Sequence, residues 1–151
     1  HVILFCTDRQ GYNYANNHVN KSIYEIYCME KMFRYLNGRS KWVFKFSGRY
    51  NLHYEFNLLD FLKSTPVFKI VDSDKTYGGT PIVECIIYSI PSGSLEKFTQ
   101  MFKDMILSLL KDTGGAIESL LYKGIQTTEY TRVEYLNAIG NDAIEGFDRR
   151  V

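Results

Sequence analysis

Apolar residues return every three or four positions from Ser22 to Leu36, at Ile26, Met29, Phe33 and Leu36, which is one face of an α-helix. Ser22 and Glu25 form an S-x-x-E capping box at its start, and Asn37-Gly38 ends it, because both residues tolerate the left-handed conformation. A second helix is expected from Leu95 through Lys111, with Ser94 as cap and Leu95, Phe98, Phe102, Met105 and Leu109 as one stripe. Gly114-Gly115 separates it from a short helix, Ile117 to Lys123, closed by Gly124.

The strand signals lie between these helices. Val2 to Phe5 is a short apolar run, followed by a polar stretch, Thr7 to Asn20, with the composition of a surface loop. Lys41 to Phe46 (KWVFKF) alternates and is stopped by Ser47-Gly48. Asn57 to Leu62 reads as a helical turn, Val67 to Val71 as a strand, and Tyr77-Gly78-Gly79 as a turn. Ile82 to Ile90 is the longest β-branched run, a central strand ended by Pro91, and Arg132 to Ile139 is the last strand. Strands alternating with helices imply an α/β fold: a mixed sheet of about five or six strands with the Ser22 and Ser94 helices on its faces. Ligands of such sheets gather at the carboxyl ends of the strands, so the residues just after each strand become the candidates.

At 151 residues the chain is expected to be one domain, 1–151, large enough to hold a core without disulfides or metal. A net charge of +1, with no block of one sign, gives no electrostatic case for nucleic-acid binding. Twelve Tyr, ten Phe and one Trp supply either a bulky core or ring surfaces for bases and sugars. Cys6, Cys28 and Cys85 are odd in number, far apart and set in apolar surroundings, which predicts buried free thiols in a reducing compartment, the cytoplasm. No apolar run approaches the roughly 20 residues of a membrane span. The chain opens on His1 rather than Met, which leaves open an upstream segment and any targeting signal within it.

Four places carry candidate chemistry. Asn17, Asn20 and Lys21 precede the first helix, where free N–H groups, the helix dipole and a lysine together suit a diphosphate. Ser47-Gly48-Arg49-Tyr50 follows a strand; the glycine allows close approach, and Arg49 offers a two-pronged grip on phosphate or carboxylate. Asp72-Ser73-Asp74 is a D-x-D pair able to hold Mg²⁺ or Mn²⁺. It is no EF-hand, since Tyr77 and Val83 stand where glycine and glutamate are required. Glu118, behind two glycines, could be a general base with raised proton affinity, or simply a first-turn carboxylate on the helix dipole.

The run NKSIYEIYCMEKMF, a short spacer and then WVFKFSGRYNL resembles the middle of GT-A-type glycosyltransferases, among them those of large DNA viruses of algae and of some bacteria. The later IIYSIP strand and IESLL helix are similar too, so the likeness spans roughly residues 17 to 125. The resemblance implies a Rossmann-like GT-A fold and transfer of a sugar from a nucleotide-sugar donor to an acceptor hydroxyl on a glycan or glycoprotein. Lys21, Arg49, Asn17, Asn20 and Tyr50 become donor contacts, and Glu118 the base of an inverting reaction. In that family a D-x-D metal motif usually ends the strand that here leads into Ser47-Gly48-Arg49. Either Arg49 and Lys21 neutralise the diphosphate alone, or Asp72 and Asp74 supply the cation. The alternatives are a non-catalytic sugar- or partner-binding α/β module and a nucleotidyltransferase.

Overall fold

The computed structural model describes residues 21–47, 50–72, 79–111, 115–141 and 148–150. The expected strand at Val2–Phe5, the loop at Thr7–Asn20 and the turn residues Tyr77-Gly78 lie outside them, as does Cys6.

Helix α1 (Lys21–Leu36) buries Ile23, Ile26, Met29, Phe33 and Leu36 along the expected face. It begins one residue before Ser22, so Ser22 stands inside the first turn rather than capping it. At the other end Gly38 takes φ +72°, and the Asn37 and Arg39 N–H groups return to the Phe33 and Leu36 carbonyls, closing the helix where Asn-Gly predicts. A tight turn leads into β1 (Trp42–Phe46). Then come β2 (Tyr50–Leu52), a 3₁₀ turn at Leu58–Asp60, and β3 (Val67–Val71). The apolar run after it forms β4 (Ile82–Val83) and β5 (Ile87–Pro91). A 3₁₀ turn over Ser92–Ser94 enters α2 (Leu95–Lys111), whose five stripe residues are all buried. Helix α3 (Ile117–Ile125), β6 (Thr131–Val133), β7 (Ala138–Asn141) and β8 (Asp148–Arg150) complete the order.

The fold is mixed α/β, and its main sheet is mixed: β1, β5, β3 and β4 lie side by side in antiparallel pairs, and β6 joins β3 in parallel. A second, three-stranded sheet runs β2-β7-β8. One expected strand is broken. From Ile70↔Val83 to Val67↔Ser89, β3 moves three residues while its partner moves six, so Glu84, Cys85 and Ile86 bulge out of the ladder. The Arg132–Ile139 strand is also split, at Asn137, whose φ of 51° turns the chain between β6 and β7. Its backbone accepts from the His53 N–H at 2.8 Å, and its side chain donates to the Glu55 carbonyl at 3.3 Å.

Alternation along the strands divides the interior in two. Val43, Phe68, Ile70, Val83, Tyr88 and Ile90 join the residues of all three helices in one core, where the Phe33 and Phe102 rings meet at 5.2 Å. Val67, Ile87, Leu136 and Ala138 turn the other way and pack with Phe44, Phe56 and Phe61. Among the described residues the helices thus share one face of the main sheet instead of flanking both, and aromatic residues and the small sheet cover the other. Antiparallel neighbours need no helical crossover, which removes the reason for a helix on the second face.

Gly124 lies within α3 rather than closing it, and a Cβ there would stand 2.3 Å from Met101 Sδ and 2.9 Å from Met101 Cγ. Gly124→Ala is therefore expected to destabilise the fold by about 1 kcal/mol, overpacking outweighing the gain in helix propensity. In a Met101→Ala background the same change should stabilise it. Urea unfolding of the four chains measures both, and an unchanged sign would disprove close packing as the reason for the glycine.

Candidate functional site

Strands β1 and β3 are both antiparallel to β5, so they point the same way, and β6 is parallel to β3. The carboxyl ends of all three therefore open on one rim. The first turn of α1 reaches that rim as well: Lys45 Nζ of β1 lies 3.1 Å from Glu25 Oε1.

The bulge decides what gathers there. The Ile86 carbonyl accepts from the Ser47 N–H at 2.8 Å, the Glu84 N–H donates to the Lys69 carbonyl at 2.9 Å, and the Cys85 carbonyl accepts from Lys45 Nζ. Lys45 shares the helix-facing side of β1 with buried Val43 and is only 12% exposed itself. Its ammonium also stands 5.8 Å from the centre of the Tyr88 ring, its cross-strand neighbour. Toward the other face, Lys69 pairs with Glu84 at 3.4 Å, both largely buried.

Glu118 stands in the first turn of α3, half-buried, and feels the charges of this group. Burial is the first reason its proton affinity is raised, and the Glu25 and Glu84 carboxylates push the same way. Its bond with its own backbone N–H and the Lys45 ammonium oppose them without cancelling them. Ala116, at the N-cap of α3, offers no side-chain bond, so Glu118 serves its helix start as well. The raised proton affinity and the place in the first helical turn are thus both found at Glu118.

Two neighbours are excluded from acid–base work at neutral pH. Burial, reinforced by Glu118, holds the Cys85 thiol well above its ordinary range, so it stays protonated. Tyr88 is likewise raised by burial, and its hydroxyl is enclosed without a hydrogen-bond partner among the described residues. Cys28 is only half-buried on α1, a correction to the expected full burial.

The other candidates are distributed as follows. Lys21 opens α1 at the rim, and the placement described for it is that of its backbone. Asn17, Asn20, Arg49 and Asp74 lie outside the described residues. Tyr50 is in β2, opposite Gly140, and packs against the second core, whereas Lys45 lies on the helix-facing side of β1. Asp72 follows β3 on the rim and holds Arg132 at 2.9 Å, while Arg132 also donates to the Ile70 carbonyl at 3.2 Å. Among the described residues no three His, Cys, Asp or Glu side chains come together as a metal site. A groove of about 410 Å³ between α2 and α3, lined by Gln100, Met101, Met105, Leu120 and Gly124 among others, includes none of the rim charges.

Sequence reasoning singled out Glu118 but not Lys45 or Glu84, and it read Glu25 only as half of a capping box; these are the charges that act on Glu118. The signal was present in KWVFKF, where Lys45 shares a face with Val43, an inward position at which a lysine needs partners. Compared with protein-family models, with curated proteins and with solved structures, the chain matches none significantly. Among the described residues no helix is long and apolar enough to cross a membrane.

A carboxyl group with raised proton affinity in the fold opposes folding once it ionises. The burden is absent below its unfolded value near 4.5, grows as pH rises through the folded value and is complete above it. Glu118→Gln is thus expected to raise Tm at pH 7 to 8, with the difference closing below about pH 4.5. A pH series of melting curves checks this; a lower Tm at neutral pH would show the carboxylate to be stabilising.

Proposed function

We propose that the chain is a GT-A-type glycosyltransferase, passing a sugar from a nucleotide-sugar donor to an acceptor hydroxyl of a glycan or glycoprotein. The observation that carries this reading is the enclosed Lys45–Glu25 pair at the strand-end rim, two residues before Ser47-Gly48-Arg49, together with the burial that raises the proton affinity of Glu118 in the first turn of α3. A carboxylate of raised proton affinity is the group needed to take the acceptor's proton near neutral pH. Arg49 and Lys21 are assigned to the diphosphate, whose negative charge grows as the sugar leaves. Asn17 and Asn20 are assigned to the donor sugar. Tyr50 is assigned a supporting role only, since its ring is engaged in packing.

GT-A enzymes usually employ Mn²⁺ or Mg²⁺. Asp72 holds Arg132 at 2.9 Å, and Asp74 lies outside the described residues. The steps above are assigned to the cationic side chains, with the Asp72/Asp74 pair as the alternative that a Mn²⁺ dependence would reveal. The sugar-binding module is the second reading, favoured by exposed rings: Tyr54 is 87% and Tyr135 63% exposed, and Tyr54 stacks on His53 at 4.1 Å.

A thermal-shift panel of nucleotide sugars, each with and without Mn²⁺, tests the reading. One donor should stabilise the protein and metal should add little; stabilisation only with Mn²⁺ would return the diphosphate to Asp72 and Asp74. Stabilisation by free glycans but by no nucleotide would favour the binding module. With the donor known, Glu118→Gln should leave its affinity intact and lower transfer about 10²–10⁴-fold. Arg49→Ala should weaken donor binding more than Arg49→Lys, which keeps the charge and loses only the fork. Isothermal titration and initial rates measure both.

A further inference from the structure

We propose that Lys45 binds a phosphate of a diphosphate ligand, and that Glu25 keeps this place in the free chain: the ligand displaces the Glu25 carboxylate and takes over the ammonium. The inference rests on the reading of the rim as a diphosphate site and adds to it a further cation with a built-in competitor.

Three ion pairs of the main sheet and its rim differ in which partner is enclosed. In Lys69–Glu84 both side chains are largely buried, 18% and 11% exposed, so neither leaves without stranding a charge. In Arg132–Asp72 both are about half exposed, at 51% and 55%, an ordinary surface pair. Lys45–Glu25 alone among these three is uneven: the ammonium is 12% exposed and the carboxylate 43%. The cation is also fixed in place. Lys45 donates to the Cys85 carbonyl, and its ammonium lies 5.8 Å from the centre of the Tyr88 ring; Cys85 and Tyr88 are both buried. Carbonyl and ring belong to the bulge and to β5, whereas Glu25 reaches Nζ at 3.1 Å through a flexible side chain near the start of α1. Of the three neighbours Glu25 is the one that can depart. A half-exposed carboxylate regains water when it leaves, and a lysine already held loses no further freedom when a ligand arrives. A phosphate group brings at least as much negative charge to the ammonium and accepts the same charge-assisted hydrogen bond. The position suits this role: Ser47-Gly48-Arg49 begins two residues on, and the Ser47 N–H is tied to the Ile86 carbonyl at 2.8 Å.

A merely structural ion pair would make loss of either partner weaken ligand binding; the proposed exchange makes the two losses act in opposite directions. Inorganic pyrophosphate is the probe, titrated by calorimetry at about 0.15 M salt so that distant charges are screened. Glu25→Gln removes the competitor while keeping its size, and should tighten pyrophosphate about 3- to 10-fold. Lys45→Met removes the cation and should weaken it about 10-fold or more. Glu96→Gln, on the exposed side of α2, changes the net charge as Glu25→Gln does and should leave the affinity within about twofold. Should Lys45→Met fail to fold, Glu25→Gln against Glu96→Gln carries the test. Unchanged or weaker binding in Glu25→Gln, an equal tightening in Glu96→Gln, or no pyrophosphate binding by either the unaltered chain or Glu25→Gln would overturn the proposal. Nucleotide sugars titrated into the same chains separate it from the transferase reading. Opposite shifts for pyrophosphate in a chain that binds no nucleotide sugar would uphold the anion site and remove the glycosyltransferase reading. Sugar transfer with donor and pyrophosphate affinities unmoved in both variants would remove the exchange alone.

Discussion

The bulge at Glu84, Cys85 and Ile86 is the constraint on which the rim depends. Three residues leave the ladder in the middle of a buried strand, and their backbone groups still require partners. Glu84 finds the Lys69 carbonyl, Ile86 receives the Ser47 N–H, and Cys85 receives the Lys45 ammonium. Leaving one such carbonyl unmet would cost about 1–3 kcal/mol, which is reason enough to draw a lysine inward. Once inward, the lysine must be neutralised, and Glu25 in α1 does so. The same bond between Ser47 and Ile86 fixes the backbone entering the Gly48-Arg49 segment. A local irregularity in one strand thereby assembles groups from α1, β1 and the bulge.

The helices and most strands were legible because their signals are local. Five stripe residues of α2 repeat at helical spacing, and all five are buried. Asn37-Gly38 ended α1 as its backbone freedom predicts. What escaped reading depends on partners distant in the chain. The apolar run from Ile82 to Ile90 is continuous in composition, so nothing within it marks the bulge; the bulge exists only relative to β3. The single-faced helix layer follows from antiparallel pairing, which a pattern of alternating strands and helices does not specify. Gly124 looked like a terminator because its neighbour Met101 lies 23 positions earlier.

At the site the same division holds. Glu118 could be singled out because two glycines and a short helix frame it, yet its burial and its carboxylate neighbours belong to the tertiary fold. Glu25 was read as half of a capping box, a local role; its ion pair with Lys45 spans twenty positions. Asp72 was read as half of a metal pair, and Arg132, sixty positions away, is what it holds. Charged residues in this chain were assigned short-range duties by sequence, and the fold gives three of them long-range ones.

The energetics of the rim argue that stability is not what this arrangement serves. A surface ion pair contributes at most about 1 kcal/mol, and enclosing charges removes hydration that their attraction only partly restores. Glu118 is the clearest case, since the desolvation that raises its proton affinity also works against the folded state at neutral pH. The Tyr88 hydroxyl, buried without a partner among the described residues, adds a second unfavourable group within the same neighbourhood. Well-packed hydrophobic residues of similar volume in place of such an enclosed ion pair are often neutral or stabilising. A carboxylate, a lysine and a hydroxyl are thus enclosed near the carboxyl ends of parallel-pointing strands, where they lower the stability of the fold rather than raise it.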